Sequence, residues 1–170
     1  MAQRFHITLD TPFGYMRPIS DGQYLIRLDW DQSRFAKADN PDDVSRETMA
    51  QLTAYLEGTR TTFELPVCAD GKSQTGRMWL EVMSRIPYGT VVTYAEFARA
   101  AGKPNAPRAA GTACASNPIP IIYPCHRVVR SGGSLGNYGG GSSLDPKHPD
   151  NLGRKQALID LERRYSRPDA

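Results

Sequence analysis

Apolar residues alternate along "QYLIRLDW", with Tyr24, Ile26, Leu28 and Trp30 on one side and Leu25, Arg27 and Asp29 on the other, which predicts a half-buried strand. The segments "RFHITLD" and "YMRPIS" are expected to pair with it, because "TPFG" and "DG" form turns and a meander is the shortest connection. Beyond a polar stretch from Asp31 to Pro41 the period changes. Met49, Leu52 and Leu56 mark one face of a helix that Gly58 closes, and "TFELPV" predicts one more short strand.

From Ser73 onward the pattern is helical. Met78, Trp79, Val82, Met83 and Ile86 share a face, and "IPYG" ends that helix. Thr93 is placed to cap "YAEFARAA", with Glu96 three residues on completing a capping box. "GKPN" breaks it, Asn105 is the expected cap of the next helix, and Pro107 sits in that helix's first turn. Two short helices joined through a glycine predict a helix-turn-helix. The second, "APRAAGTACAS", is nearly all small side chains with Arg108 as its one long cation, and composition alone reads it as a tightly packed core helix. "NPIPIIYPCHR" carries three prolines among β-branched residues, which excludes helix and predicts extended chain or turns. The last helix, "NLGRKQALIDLERRY", turns Leu158, Ile159 and Leu161 inward. The expectation is an α/β protein, with an N-terminal antiparallel sheet plus helices over residues 1–71 and a mostly helical domain with the helix-turn-helix over 72–170.

Composition narrows the class. With 170 residues, 23% charged, 13 Pro and 15 Gly, the chain has the make-up of an ordinary globular protein with substantial loops. No apolar run approaches the roughly 18 residues that span a bilayer, and "MAQRFHITLD" lacks the order of a signal peptide. A cytoplasmic protein without membrane partners is expected, nuclear if the source is eukaryotic. Cys68, Cys114 and Cys125 are an odd number with no short paired spacing, which argues against a disulfide framework and against a zinc finger. A net charge of +3 is compatible with a polyanionic partner without requiring one.

One cysteine invites chemistry. A lone Cys is more often a small buried hydrophobe than a nucleophile, but Cys125 is followed by His126, and an imidazole can draw off a thiol proton. In extended chain the two side chains point apart, so a sharp turn or a bridging water is required. Asn117 can hold the irregular backbone around Pro118 and Pro120. Glu162 borders the apolar face of the last helix, where it can orient the imidazole; the plain alternative is a solvated carboxylate paired with Arg163 or Lys155.

These residues carry a resemblance. "RAAGTACASNPIPIIYPCHRVV" followed by "GNYGGG" is similar to the active-site region of the O6-alkylguanine-DNA alkyltransferases, gap-free from about Trp79 to Gly140, and "TPFG", "LDW" and "AYLEG" resemble the family's N-terminal domain. The resemblance implies a ribonuclease H-like first domain and direct-reversal repair: irreversible, stoichiometric transfer of a methyl or other alkyl group from O6-alkylguanine in duplex DNA to Cys125. It assigns His126 as the residue that deprotonates Cys125 through a water, Glu162 as the carboxylate behind it, Asn117 as the amide shaping the turn, and Tyr94 as the hydroxyl donating to the flipped base. Arg108 becomes the finger that fills the stack, on a helix-turn-helix that enters the minor groove, with Thr93, Ala106, Gly111 and Ser131 beside the DNA. Val128, Tyr138 and the Gly139 N–H would form the base pocket. No cofactor and no metal are implied, and a monomer is expected, with cooperative assembly on DNA left open. The chain departs from the family at Gln74 and Thr75, where a Phe-Gln pair is common, and in "GSSLDPKHPDN", about ten residues inserted before the last helix. That insertion reads as a spacer, with a longer pocket wall or DNA contact through Lys147 or His148 as alternatives.

Overall fold

Pro18 breaks the edge of a sheet. In the structure, a computed structural model that describes residues 3–30, 38–139 and 141–166, four antiparallel strands form the first unit: β1 (Phe5–His6), β2 (Leu9–Thr11), β3 (Gly14–Ser20) and β4 (Leu25–Trp30). β1 and β2 lie along the same side of β3 in one continuing register, His6 opposite Ile19 and Leu9 opposite Met16. The interruption between them therefore falls opposite Pro18, which has no N–H to donate. β4 pairs along the other side of β3, so the expected meander forms. A register shift at Ile19 and Ser20 alters the expected alternation in β4: Leu25 is fully buried, whereas Tyr24 lies outside the strand and is 37% exposed.

α1 (Asp43–Leu56) packs on β3 and β4. It begins at Asp42, whose side chain accepts from Ser45 N while Ser45 Oγ accepts from Asp42 N. Its buried face is Ser45, Thr48, Gln51, Leu52 and Tyr55, so the expected stripe holds at Leu52 while Met49 and Leu56 are only half-buried. "TFELPV" is not a strand. Only Val67 bridges, in parallel with Leu25, and the chain from Pro66 to Asp70 runs beside β4 through Leu25 N to Pro66 O (2.7 Å) and Cys68 N to Leu25 O (2.9 Å). The anticipated polar stretch lies largely in residues 31–37, outside the described residues.

The second unit begins at Lys72. α2 (Gln74–Met83) starts at Ser73 and buries Trp79, Leu80 and Met83. β5 (Val92–Thr93) leads directly into α3 (Tyr94–Ala100), whose capping box between Thr93 and Glu96 is present as expected. α4 (Pro107–Ala115) packs on α3 to complete the helix-turn-helix, and Phe97 meets Trp79 edge-to-face with ring centroids 5.2 Å apart. Its cap is Ala106, not Asn105; no side chain caps this end, and Pro107 removes one of the donors a cap would serve. β6 (Val128–Val129) pairs in parallel with β5, and α5 (Pro149–Tyr165) packs on the Cys125 turn. Leu161 is only half-buried, and Glu162 is buried instead. No helix is long and apolar enough to cross a membrane among the described residues.

Candidate active site

Three prolines keep residues 118–124 out of regular structure, yet the next three residues do turn: Cys125–Arg127 form a single 3-10 turn, against the expectation that helix is excluded here. The turn is short enough to need no long run of donors, and it supplies the sharp bend that an adjacent Cys-His pair requires. Asn117, fully buried, ties the approach together. Its Nδ2 donates to Tyr123 O (2.7 Å) and its Oδ1 accepts from Ile119 N (3.0 Å). Between these ties Ile121 adopts φ +73°, a left-handed conformation that a β-branched residue keeps only where its surroundings enforce it.

Cys125 is fully buried, and burial pushes its thiol up from the ordinary range, with the Asn117 amide and the Lys155 ammonium pulling partly the other way. His126 is equally buried. Its Nε2 lies 2.6 Å from Glu162 Oε2, which leaves Nδ1 as the ring nitrogen with no partner among the described residues. Burial lowers the imidazole's proton affinity, and the hydrogen bond to Glu162 opposes that. Glu162 itself is 2% exposed and held by more than the histidine. Arg127 grips it with Nε to Oε1 (2.8 Å) and a terminal nitrogen to Oε2 (2.9 Å), and Gly89 N donates to Oε1 (3.0 Å). Burial alone would raise this carboxyl, but the bonds from His126 and Arg127 outweigh it and hold Glu162 well below the usual carboxylate range. The plain alternative of a solvated Glu162 paired with Arg163 or Lys155 does not hold.

Lys155 lies two helical turns earlier on α5 and is fully buried. Its ammonium donates to three carbonyls, those of Val128 (2.6 Å), Asn137 (2.9 Å) and Leu135. Burial pulls it down to about 8, while the thiolates of Cys125 and Cys114 would pull it up. The same ammonium sits 5.6 Å from the centroid of the Tyr94 ring. Tyr94 Oη accepts from Asn137 N (3.1 Å), which leaves its own O–H available to donate, and burial pushes the phenol up to about 12. Gly136 is required at this contact. It has φ +73°, and a Cβ there would lie 2.5 Å from Tyr94 Oη.

A groove of about 510 Å³ opens along α4, lined by Tyr94, Pro107, Arg108, Gly111, Arg130 and Asn137 among others. It gathers three of the residues expected beside DNA, Tyr94, Arg108 and Gly111. Thr93, Ala106 and Ser131 are not part of its lining: Thr93 Oγ1 is engaged by Glu96 N (3.0 Å), Ala106 precedes α4, and Ser131 is exposed. Tyr94 joins groove and thiol, because it lines the first and lies within electrostatic range of Cys125. Of the expected pocket residues, Val128 is buried in β6 and gives its carbonyl to Lys155, and Tyr138 is 1% exposed next to Gly139. No cluster of three His, Cys, Asp or Glu side chains is assembled among the described residues.

Two site residues were missed by sequence reasoning. Arg127 sits inside the same short motif without a signal of its own, and the sequence offers Lys155 only as a surface partner. The signal for Lys155 was available: Lys155, Leu158, Ile159 and Glu162 recur at helical spacing, which puts all four on one buried face. The insertion is also more than a spacer. Tyr138 N donates to Pro146 O (2.8 Å) and Ser142 N to Gly139 O (3.0 Å), tying the segment to residues 138 and 139.

Comparison with known proteins points one way. Residues 75–164 match the family model of the 6-O-methylguanine DNA methyltransferase DNA-binding domain, and residues 5–69 match that of the ribonuclease-like domain of the same proteins. The methylated-DNA–protein-cysteine methyltransferase of Mycolicibacterium paratuberculosis is 35% identical over 164 residues, 94% of this chain and 92% of the relative. The inducible one of Bacillus subtilis is 36% identical over 141 residues, 82% of this chain and 73% of the relative. Among solved structures, the O6-methylguanine methyltransferase of Mycobacterium tuberculosis superposes with a TM-score of 0.79 at 31% identity, covering 98% of this chain and 97% of that one. The Mycobacterium tuberculosis protein OGT in complex with DNA gives the same TM-score, 0.79, at 31% identity over 97% of this chain and 96% of that one.

Proposed function

The chain belongs to the O6-methylguanine-DNA methyltransferase family, and from that premise we propose that Cys125 is the alkyl acceptor, served by His126, Glu162, Asn117 and Tyr94. The function is DNA repair by transfer of an alkyl group from O6-alkylguanine to a cysteine of the protein itself. The observation that carries the assignment is the 2.6 Å contact of His126 Nε2 with a buried Glu162, which leaves Nδ1 as the ring nitrogen to take the thiol proton.

The chemistry follows from that arrangement. A buried thiol with a raised proton affinity does not ionise unaided at neutral pH. Its proton passes through a water to His126 Nδ1, and the imidazolium so formed is balanced by Glu162. The sulfur attacks the carbon bound to O6, the C–O bond breaks, and its electron pair stays with guanine. Tyr94 O–H and Gly139 N–H donate to the base as that charge develops. Overall the alkyl group and the thiol proton change places, so the thioether cannot revert and each molecule acts once.

O6 is hidden in a stacked duplex, and reaching it requires flipping the nucleotide at a cost of a few kcal/mol. Arg108, exposed on α4, fills the vacated stack, while the small residues of α4 let that helix lie close to the sugars of the minor groove. Thr93, Ala106, Gly111 and Ser131 flank the duplex, and Val128, Tyr138 and Gly139 receive the base. The protein works as a monomer in the cytoplasm, or in the nucleus of a eukaryotic cell.

The test is mass spectrometry of intact protein and peptides after mixing with a duplex carrying one O6-methylguanine. One methyl group on the Cys125 peptide, saturating at one per chain and absent in Cys125→Ala, is the expected result. A methyl group on another residue, or none, would reject the assignment.

A further inference from the structure

The inserted segment stands behind the wall assigned to the base pocket. That wall, residues 137–139, is held from one side by Asn137 N to Tyr94 Oη (3.1 Å) and by Lys155 Nζ to Asn137 O (2.9 Å). The other hold comes from the insertion, through Tyr138 N to Pro146 O (2.8 Å) and Ser142 N to Gly139 O (3.0 Å). Pro146 presses on Gly139 so closely that a Cβ on that glycine would lie 2.8 Å from Pro146 Cγ and 3.0 Å from its Cα. The Gly139 N–H is left uncommitted among the described residues.

The segment has its own anchorage. Asn151, fully buried, donates to Asp145 O (2.9 Å) and Leu144 O (3.4 Å) and accepts from Arg154 (2.9 Å). His148 N returns to Asp145 O (2.8 Å) as α5 begins. The wall is thereby fastened to the helix that carries Lys155 and Glu162.

We propose that the segment Gly141–Asn151 is a specificity determinant, a brace that keeps the Tyr138–Gly139 wall from yielding and so restricts transfer to small alkyl groups. This rests on the functional reading above. A bulky O6 substituent needs the wall to move outward, which drives Gly139 into Pro146, where there is no room even for an added methyl group, and distorts the hydrogen bonds that tie wall to segment. A methyl group needs no such movement, so the brace acts on the larger substrate alone.

The experiment compares single-turnover transfer from two duplexes, one with O6-methylguanine and one with O6-benzylguanine, for the native chain, Pro146→Gly and Asn151→Ala. The native chain is expected to favour methyl by at least about tenfold, and each variant to narrow that preference by about tenfold while the methyl rate stays within about twofold. Should Asn151→Ala lose its fold by circular dichroism, Pro146→Gly, which removes only a half-exposed ring, carries the comparison. Equal native rates on the two lesions, or an unchanged preference in a folded variant, overturn the brace. A native chain that alkylates Cys125 from neither duplex overturns the functional reading, and the brace with it.

Discussion

In the N-terminal unit, Gln51 gives its amide to the backbone of Glu64 in both directions, at 3.1 and 2.9 Å, and Ser20 Oγ holds Asp42 at 2.7 Å. In the C-terminal unit, Glu162 is shared by His126, Arg127 and Gly89, and Lys155 serves three carbonyls beside a thiol. Both units bury polar side chains. The first uses mostly neutral groups, such as Gln51 and Ser20, to stitch helix and loop to sheet. The second gathers ionisable groups behind one sulfur. Neutral ties cost little to bury once they are bonded, whereas buried charges are costly unless paired, and they persist here because the pairing sets the protonation of the residues it touches.

The sharpest way to break this contrast is Glu162→Gln. It leaves Arg127 and His126 without their counter-charge, and a loss of about 3–5 kcal/mol in urea unfolding is expected, together with slower transfer as the imidazole loses its support. A loss below about 1 kcal/mol would place the carboxylate outside the charge cluster's balance. The pH dependence has a definite sign. Glu162 is held below its ordinary 4.5, so its contribution is present above that pH and is lost as pH falls through the folded-state value. Glu162→Gln should therefore flatten the acid limb of a stability profile.

Lys155→Met comes next. The thiol loses its neighbouring cation, and each unit by which its pKa rises lowers the thiolate fraction about tenfold, so transfer should slow and its pH profile should move upward. A slower rate with an unmoved profile would make Lys155 a strut for the wall alone. The native lysine, pulled down to about 8 from 10.5, costs stability while charged, and that cost is relieved as pH rises from 8 towards 10.5. The variant should lack this rise.

Gln51→Leu tests the other half of the contrast. Leaving the Glu64 peptide groups unpaired should cost about 1–3 kcal/mol by urea unfolding, with the transfer rate of the folded protein unchanged. A slower rate would mean that the first unit shapes the chemistry. Smallest of all, Glu81→Gln removes an exposed pair with Arg85, and a change under about 0.5 kcal/mol is expected in the same measurement.

The sequence pattern disclosed most of the scaffold. Alternation located β4, the capping box located the start of α3, and the proline-rich approach to Cys125 announced irregular chain. The pattern misled where a neutral polar group or a charge faces inward. α1 buries Ser45, Thr48 and Gln51 and α5 buries Asn151, Arg154, Lys155 and Glu162, so a search for apolar stripes chose Met49, Leu56 and Leu161 instead. Cys125, His126, Asn117 and Glu162 were brought together by the family resemblance, while spacing alone left Glu162 equally open to a solvated surface pair. Arg127 and Lys155 were not, since their partners are backbone carbonyls and a carboxylate far along the chain, and spacing alone does not name such partners. The bracing role of residues 141–151 was equally hidden, because it depends on a carbonyl of Pro146 meeting an amide eight residues earlier.

The two-residue ladder between β5 and β6 sets Val92 opposite Val128 and Thr93 opposite Val129, so the segment that opens α3 and the one that follows the cysteine turn are joined through the backbone. The pairing holds the residue before α3 and the strand that follows Cys125 one strand spacing apart, about 4.8 Å. Residues 141–151 lie downstream of this ladder, so their length does not enter the spacing between α3 and Cys125.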